Sequence, residues 1–293
     1  MSMRKTIAHL GPKGTYSELA TLCYAHILQE EENLDSQLIP IPSISQTLVT
    51  VAQKQADIAV VPIENSIEGT VVITLDTLWE LNNLHIQQAL TIPIVHNLSS
   101  RGRSLSGLKT VYSHPQALAQ CQKWLASNLP DARLIATNST TEALHYLKNE
   151  PTSGAISSLR AAQMYDLPVK EENINDYDHN CTRFLVVSRK AHHYGNHVSL
   201  GLSFKDNMPG VLIKPLQIFA QRSINLTKIE SRPDKYSLGD YLFFVDLKGN
   251  PQETNIRDAL DLIKGCSESL KIFGTYDITT ISRQQLATIS NAK

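Results

Sequence analysis

Thr182 and Arg183 close the polar run of "NDYDHNCTRFLVV", residues 175 to 187, just where the chain turns into an apolar stretch. A hydroxyl and a guanidinium at the mouth of a strand suit a site that binds an anion and helps a proton move. The plainer reading is a loop closing on a strand end, with the arginine solvated. Three other stretches share the pattern: "GPKGTYS" from Gly11, "PIENS" from Pro62 and "SHPQA" from Ser113. Each delivers polar groups from an apolar run to a loop at or beside a helix start, where free N–H groups and the helix dipole favour anions. Taken singly, each loop is ordinary turn chemistry. Their recurrence at the carboxyl ends of strands favours a ligand site. No Gly-Lys-Ser/Thr closes "GPKGTYS", so it is not a nucleotide-binding loop of the Walker type. A small anion with more than one acidic group fits this set better than a long polymer.

The elements that must position these residues alternate. "KTIAHL" reads as a buried strand and "SELATLCYAHIL" as the helix after it; "PSISQTLVTVAQKQAD" reads as a second helix. Ser43 is its N-cap, Gln46 completes a capping box, and Ile44, Leu48, Val51 and Ala52 share one face. "IAVVPIENS" and "KTVYS" are strands, and "HPQALAQCQKWLAS" is a helix with Pro115 in its first turn. "SGAISS" with "LRAAQMYD" repeats the theme. Strand, loop and helix in alternation predict an α/β fold with a mainly parallel sheet. From about residue 189, "RKAHHYGNH" is polar and aperiodic and reads as a linker to 197, its histidines solvated. Beyond it, "VSLGLSF", a "DNMPG" turn, "VLIKPLQIFAQ", "INLTKIES", "YLFFVDL", "TNIRDALDLIKGC" and "SLKIFGTYD" give the order βαββαβ of a ferredoxin-like sandwich. Pro215 falls inside the expected helix and predicts a kink. Residues 278–293 read as a loose tail.

Composition limits the partners. At 293 residues the chain suits two domains, and 42% apolar content is ordinary for globular proteins. A net charge of -1 supplies no basic surface for nucleic acid or an anionic membrane. Cys23, Cys121, Cys181 and Cys266 form no close pair, which argues against a structural metal and suits a reducing cytosol. The apolar run after Arg4 and Lys5 is too short for a signal peptide, so a cytoplasmic protein is expected.

Together, "GPKGTYSELA", "VVPIENSIEGTVVITLDTL", "SHPQALAQC" and "NDYDHNCTRF" resemble the successive motifs of the prephenate dehydratase family. "INLTKIESRP" with "YLFFVDLKG" is similar to the ACT regulatory domain that follows in that family. The likeness runs from about residue 6 to about residue 277, and is to the monofunctional form. It implies a two-lobed catalytic region over residues 1–188, like a type II periplasmic binding protein, with substrate in the cleft. One lobe would be about 1–76 plus 155–188 and the other 77–154. An ACT domain would occupy 198–277.

The resemblance also implies chemistry. Prephenate would lose carbon dioxide and water to give phenylpyruvate, driven by aromatisation, with no cofactor and no metal. Thr182 would assist hydroxide departure, Arg183 would bind a carboxylate through its fork, and Phe184 would shape the pocket wall. Asn65, Ser66, Ser113 and Gln116 would supply neutral hydrogen bonds, and Asn180 would fix the turn presenting Thr182. An aliphatic hydroxyl is a poor acid near pH 7. Glu64 and His114 are therefore the candidate proton sources, with plainer roles as a loop partner and a helix cap.

L-Phenylalanine is the implied effector, bound where ACT domains meet in a homodimer or homotetramer. Gly210, Val211 and Leu212 would face its ring. Asn225, Leu226, Glu230, Ser231, Arg232 and Pro233 would face its charged ends. Val211 departs from the family's usual alanine and narrows that spot. Arogenate dehydratase is the nearest rival activity; a solute-binding protein or a non-catalytic amino-acid sensor is the rival of another class.

Overall fold

The structure, a computed structural model, describes residues 4–205, 208–235 and 239–291. It opens with β1 (Lys5–Leu10), α1 (Tyr16–Glu32), β2 (Ser36–Ile41), α2 (Ile44–Ala52), β3 (Ile58–Asn65), β4 (Gly69–Thr70), α3 (Val72–Glu80) and β5 (His85–Pro93). The α2 cap is as expected, with Ser43 Oγ accepting from the Gln46 N–H at 3.2 Å. The chain then makes β6 (Asn97–Ser99), β7 (Thr110–Ser113), α4 (Pro115–Gln120), α5 (Gln122–Asn128), β8 (Arg133–Ala136), α6 (Glu142–His145), β9 (Ser153–Ser157), α7 (Leu159–Met164) and β10 (Val169–Glu171). The single helix expected after "SHPQA" is two, broken at Cys121. β11 (Cys181–Ser188) returns to the first sheet, whose strand order is β5-β11-β3-β1-β2. The second sheet runs β10-β6-β9-β7-β8.

This pairing moves the lobe boundaries. β5 lies in the first sheet and β9 and β10 in the second, so the chain crosses near residues 94–96 and 172–180 rather than near 77 and 155. "SGAISS" is the central strand of the second lobe. The alternation of strand and helix runs through both crossings, so it carries no mark of where they fall.

The C-terminal domain comprises β12 (His197–Ser203), α8 (Ile213–Gln221), β13 (Asn225–Pro233), β14 (Tyr241–Lys248), α9 (Thr254–Lys264) and β15 (Ser269–Tyr276). The sheet order β13-β14-β12-β15, antiparallel throughout, is the expected βαββαβ sandwich. Asp206 and Asn207 of the expected "DNMPG" turn lie outside the described residues. α8 starts at Ile213, later than the apolar pattern suggests, which puts Pro215 in its first turn, where a helix needs no N–H. The kink expected there is therefore absent. The segment expected to be a loose tail is instead β16 (Ile278–Thr280), paired parallel with β5, followed by α10 (Arg283–Asn291) on α1. Ile281 and Leu286 are buried in the first lobe's core, which anchors it.

The first sheet thus has two covered faces. Leu90, Ile92, Phe184 and Val186 pack under α1 and α10. Ala59, Val61, Ile63, Leu185 and Val187 form a core with α2 and α3 that continues into Leu242, Phe244 and Phe273 of the C-terminal sheet. The inner strands β12 and β14 are therefore covered on both sides, by the domain's own helices and by the catalytic region, while one face of β13 stays exposed.

Candidate functional site

Between the two lobes lies a cleft of about 650 Å³. Its walls come from the β1–α1 loop, the end of β3, the start of β11, α4 and the loop before α6. Gly14 helps to shape the first of these. Its φ of 84° is a left-handed conformation natural to glycine, and it lets the Gly14 N–H reach Glu18 Oε2 at 2.7 Å.

Thr182 and Asn65 both line the cleft and are nearly buried. Asn65 Nδ2 donates to Thr182 Oγ1 at 2.9 Å, to Asn180 Oδ1 at 2.9 Å and to the Cys181 carbonyl at 3.2 Å. Asn65 Oδ1 accepts from the N–H groups of Ile67 and Glu68, both at 3.0 Å. The amide is thus fixed at both ends. Thr182 Oγ1 is the acceptor in its bond with Asn65, so its own proton is left for a group in the cleft.

The network continues across the cleft. Asn180 Nδ2 donates to Gln120 Oε1 at 2.8 Å, and Gln120 Nε2 donates to Glu68 Oε1 at 3.2 Å. His96 Nε2 lies 3.0 Å from the same Gln120 oxygen, which accepts, so the ring proton sits on Nε2. Burial holds the His96 imidazole below its ordinary range and therefore neutral. Tyr16 accepts from the Val95 N–H at 3.0 Å and donates to the Val95 carbonyl, and burial raises its phenol far above the usual value.

Tyr16, His96 and Gln120 are site residues that the sequence reading missed. Gln120 had a signal: it lies four residues after Gln116, one helical turn along the same face. Nothing in the sequence marks His96.

Among the described residues lining the cleft, none is lysine or arginine. The amino end of the 17-residue α1, where Thr15, Tyr16 and Ser17 line the cleft, instead presents helix N–H groups there, while Glu142 brings a carboxylate to the opposite wall.

Of the other expected site residues, His114 and Gln116 line the cleft. His114 Nδ1 accepts from the Gln116 N–H at 3.3 Å, so it caps α4, and burial lowers its pKa. Ser113 is turned away, its hydroxyl donating to the Ile156 carbonyl at 2.7 Å. Ser66 is exposed and accepts from the Cys181 N–H at 3.0 Å. Phe184 is buried in the core beneath α1 and does not reach the pocket wall.

The largest correction concerns Arg183 and Glu64. Side chains alternate along a strand, so Arg183 leaves the sheet on the face opposite Thr182. It points toward the C-terminal domain, with Nη1 3.5 Å from Glu64 Oε2. Glu64 is placed there by a bulge: Arg183 is opposite Glu64 but Phe184 is opposite Pro62, which leaves Ile63 as the extra residue of β3. Neither Arg183 nor Glu64 lines the cleft.

The expected effector residues lie at the start of α8 (Gly210 to Leu212) and along β13. Within the chain, Glu230 Oε2 accepts from Thr70 Oγ1 at 2.8 Å, and Arg232 pairs with Asp76 at 3.2 Å. These two side chains are turned toward the catalytic region.

Comparison with known proteins identifies the relatives. The family model for prephenate dehydratase matches residues 7–192, and that for the ACT domain matches residues 204–261. A bifunctional chorismate mutase/prephenate dehydratase of Aquifex aeolicus (strain VF5) is 39% identical over 280 residues, covering 94% of this chain and 75% of that one. A prephenate dehydratase of Lactococcus lactis subsp. lactis (strain IL1403) is 34% identical, covering 94% of this chain and 98% of that one. The crystal structure of a prephenate dehydratase from Arthrobacter aurescens in complex with L-Phe superposes with a TM-score of 0.82 at 33% identity, over 93% of this chain and 90% of that one.

Proposed function

The chain belongs to the prephenate dehydratase family, and we propose that it converts prephenate to phenylpyruvate in the cleft, with Thr182 hydrogen-bonding the departing ring oxygen. The observation that carries this reading is the Asn180–Asn65–Thr182 arrangement, in which the cleft-lining Thr182 Oγ1 accepts from Asn65 and so keeps its own proton available to donate. In the reaction the bond from the ring to its carboxylate breaks. The electron pair moves through the ring as carbon dioxide leaves, and the ring C–O bond breaks on the far side. The oxygen leaves with its pair and takes up a proton from water, and the Thr182 hydrogen bond stabilises the charge that develops on it.

The cation-free wall supports the same reading. The ring carboxylate loses its charge on the way to product, so a fixed cation beside it would stabilise substrate more than transition state. Asn65, Gln116, Thr182 and the amino end of α1 bind a dianion without that penalty, the side-chain carboxylate lying at α1. His114, one of several titratable groups lining the cleft beside Tyr16, His96, Glu142 and His145, serves as a proton relay through water. Glu64 does not, because it faces the other way.

The C-terminal domain makes phenylalanine the effector, bound between the Gly210–Leu212 turn and the start of β13 where two copies meet. Among the described residues no helix is long and apolar enough to cross a membrane, and the enzyme works in the cytoplasm as a dimer or tetramer. The test is formation of phenylpyruvate from prephenate, followed without added metal and compared with arogenate by kcat/KM. A protein that turns over neither substrate would overturn the reading. A protein that prefers arogenate would move it to the sister activity.

A further inference from the structure

Behind Thr182, at the junction of the catalytic region and the C-terminal sheet, four ionisable side chains meet, and burial pushes the carboxyl of one of them, Asp246, up. Glu64 lies between two cations, with Arg183 Nη1 3.5 Å from one oxygen and Lys228 Nζ 3.7 Å from the other. Asp246 on β14 faces both cations and accepts from Ser199 Oγ at 2.5 Å; Ser199 in turn bonds Tyr276 Oη at 2.6 Å. The surrounding side chains include Ile63, Leu75, Phe244 and Phe273, and the space left among them is about 10 Å³. That is room for about one water at most. The Lys228 side chain is largely buried here, while Arg183 and Glu64 keep 28% and 33% of their side-chain surface exposed, so solvent shares in holding that pair.

Such a cluster costs desolvation energy and is weak evidence for stability. What distinguishes this one is its position in the strands. Glu64 immediately precedes Asn65 and Arg183 immediately follows Thr182, so both residues of the catalytic hydrogen bond have a charged neighbour locked on the opposite face. The β3 bulge breaks the ladder at this point, between the Arg183–Glu64 and Phe184–Pro62 pairs, so regular strand pairing with β3 does not fix Thr182 alone. Lys228 reaches Glu64 from β13, whose next residues on the same face, Glu230 and Arg232, hold Thr70 and Asp76. Three alternate side chains of one strand thus grip the catalytic region in a row, and the first of them ends next to the reacting residues.

We propose that Arg183 and Glu64 are positioning residues rather than substrate ligands, and that Lys228 and Asp246 of the C-terminal domain complete the catalytic strands by holding them. The inference rests on the dehydratase reading above. The C-terminal sheet is then part of the catalytic apparatus in the absence of any effector, because it adds a hold from behind, through Glu64, to the hydrogen bonds and the β5 pairing that already orient Asn65 and Thr182.

The experiment measures kcat and KM for prephenate with the full-length wild type, Lys228→Met, Lys228→Arg and Arg183→Lys, without phenylalanine. Methionine keeps the length and apolar body of the lysine, so the domains stay packed, and melting curves check this. Lys228→Met is expected to lose about tenfold in kcat with KM within about twofold, a loss of roughly 1.4 kcal/mol in transition-state stabilisation. Lys228→Arg, which restores the cation, is expected to recover most of kcat. Arg183→Lys is expected to lower kcat and leave KM nearly unchanged. A Lys228→Met enzyme with wild-type kcat would overturn the inference. So would an Arg183→Lys enzyme whose KM rises tenfold or more at unchanged kcat, since that places the guanidinium on the substrate. An inactive wild type would count against the dehydratase reading itself, which separates the two failures.

Discussion

The two faces of the strand pair β3–β11 are built on opposite principles. On the cleft face Asn65 and Thr182 are neutral and fully oriented by amide hydrogen bonds, in a cavity whose described lining holds no lysine or arginine. On the other face, one residue away in sequence, Glu64 and Arg183 sit in a cluster of charges against the C-terminal sheet. Lysine and arginine are kept out of the described lining of the place where a substrate carboxylate must be lost. Charge is concentrated where two packed domains must hold a fixed register. Neighbouring residues of one motif therefore have different work, and their contiguity in sequence does not mean they share a site.

Substitutions on the cleft face are expected to have the largest effects. Thr182→Ala should lower kcat by roughly 10²-fold or more, the usual scale for a lost group that stabilises developing charge, with a much smaller change in KM. Thr182→Ser keeps the hydroxyl and should retain a large part of kcat. A Thr182→Ala enzyme with near-normal kcat would erase the contrast between the faces. Asn65→Leu should follow, at about tenfold or more in kcat, because Thr182 Oγ1 and Asn180 Oδ1 both lose their donor. In the double variant with Thr182→Ala the two losses should not add, since both act through one hydroxyl. Additive losses, measured as a double-mutant cycle in kcat, would show that Asn65 acts on the substrate independently.

Much of this was legible in the sequence. Strands β1, β3, β7, β9 and β11, the α2 cap and the βαββαβ order of the second half follow from periodicity and turn chemistry; β2, β5, β6, β8 and β10 lie outside that reading. The sheets expected to be mainly parallel are mixed, because β11 runs antiparallel to β3 and β5, and β6 antiparallel to β9 and β10. Asn65, Thr182 and Gln116 line the cleft, with Asn180 bonded to Asn65. What the sequence hid has a physical cause in each case. The lobe crossings fall inside regular α/β alternation, which looks the same on both sides of a crossing. The bulge at Ile63 reverses the phase of β3: simple alternation would put Glu64 on the face of Val60, and the structure puts it beside Ile63 instead. Pro62, which lacks an N–H for the ladder, was the only local hint. The terminal strand and helix are short and polar outside, so their anchoring shows only once β5 offers them an edge.

The smallest expected effect tests whether charge at the domain junction matters away from the catalytic strands. Lys271 of β15 lies at the end of α3, with Nζ 2.8 Å from the carbonyls of Leu78 and Trp79 and 2.9 Å from that of Leu81. Those carbonyls have no helical partner, so one domain caps a helix of the other. Lys271→Met should leave them unpaired at a cost of about 1–3 kcal/mol and lower Tm by a few degrees with kcat intact. The pH dependence follows from burial, which draws the ammonium down to about 8, against about 10.4 for an unfolded lysine. Between these values the unfolded chain binds more protons than the folded one, so this group's contribution to stability rises with pH. The neutral amine still has N–H groups to donate and no longer bears the cost of a buried charge. Melting curves of wild type and Lys271→Met at pH 7 and pH 9.5 should therefore show a Tm difference that widens at the higher pH. A difference that narrows would mean that the three carbonyls hold the lysine as a cation, and that the junction relies on charge here as it does behind Thr182.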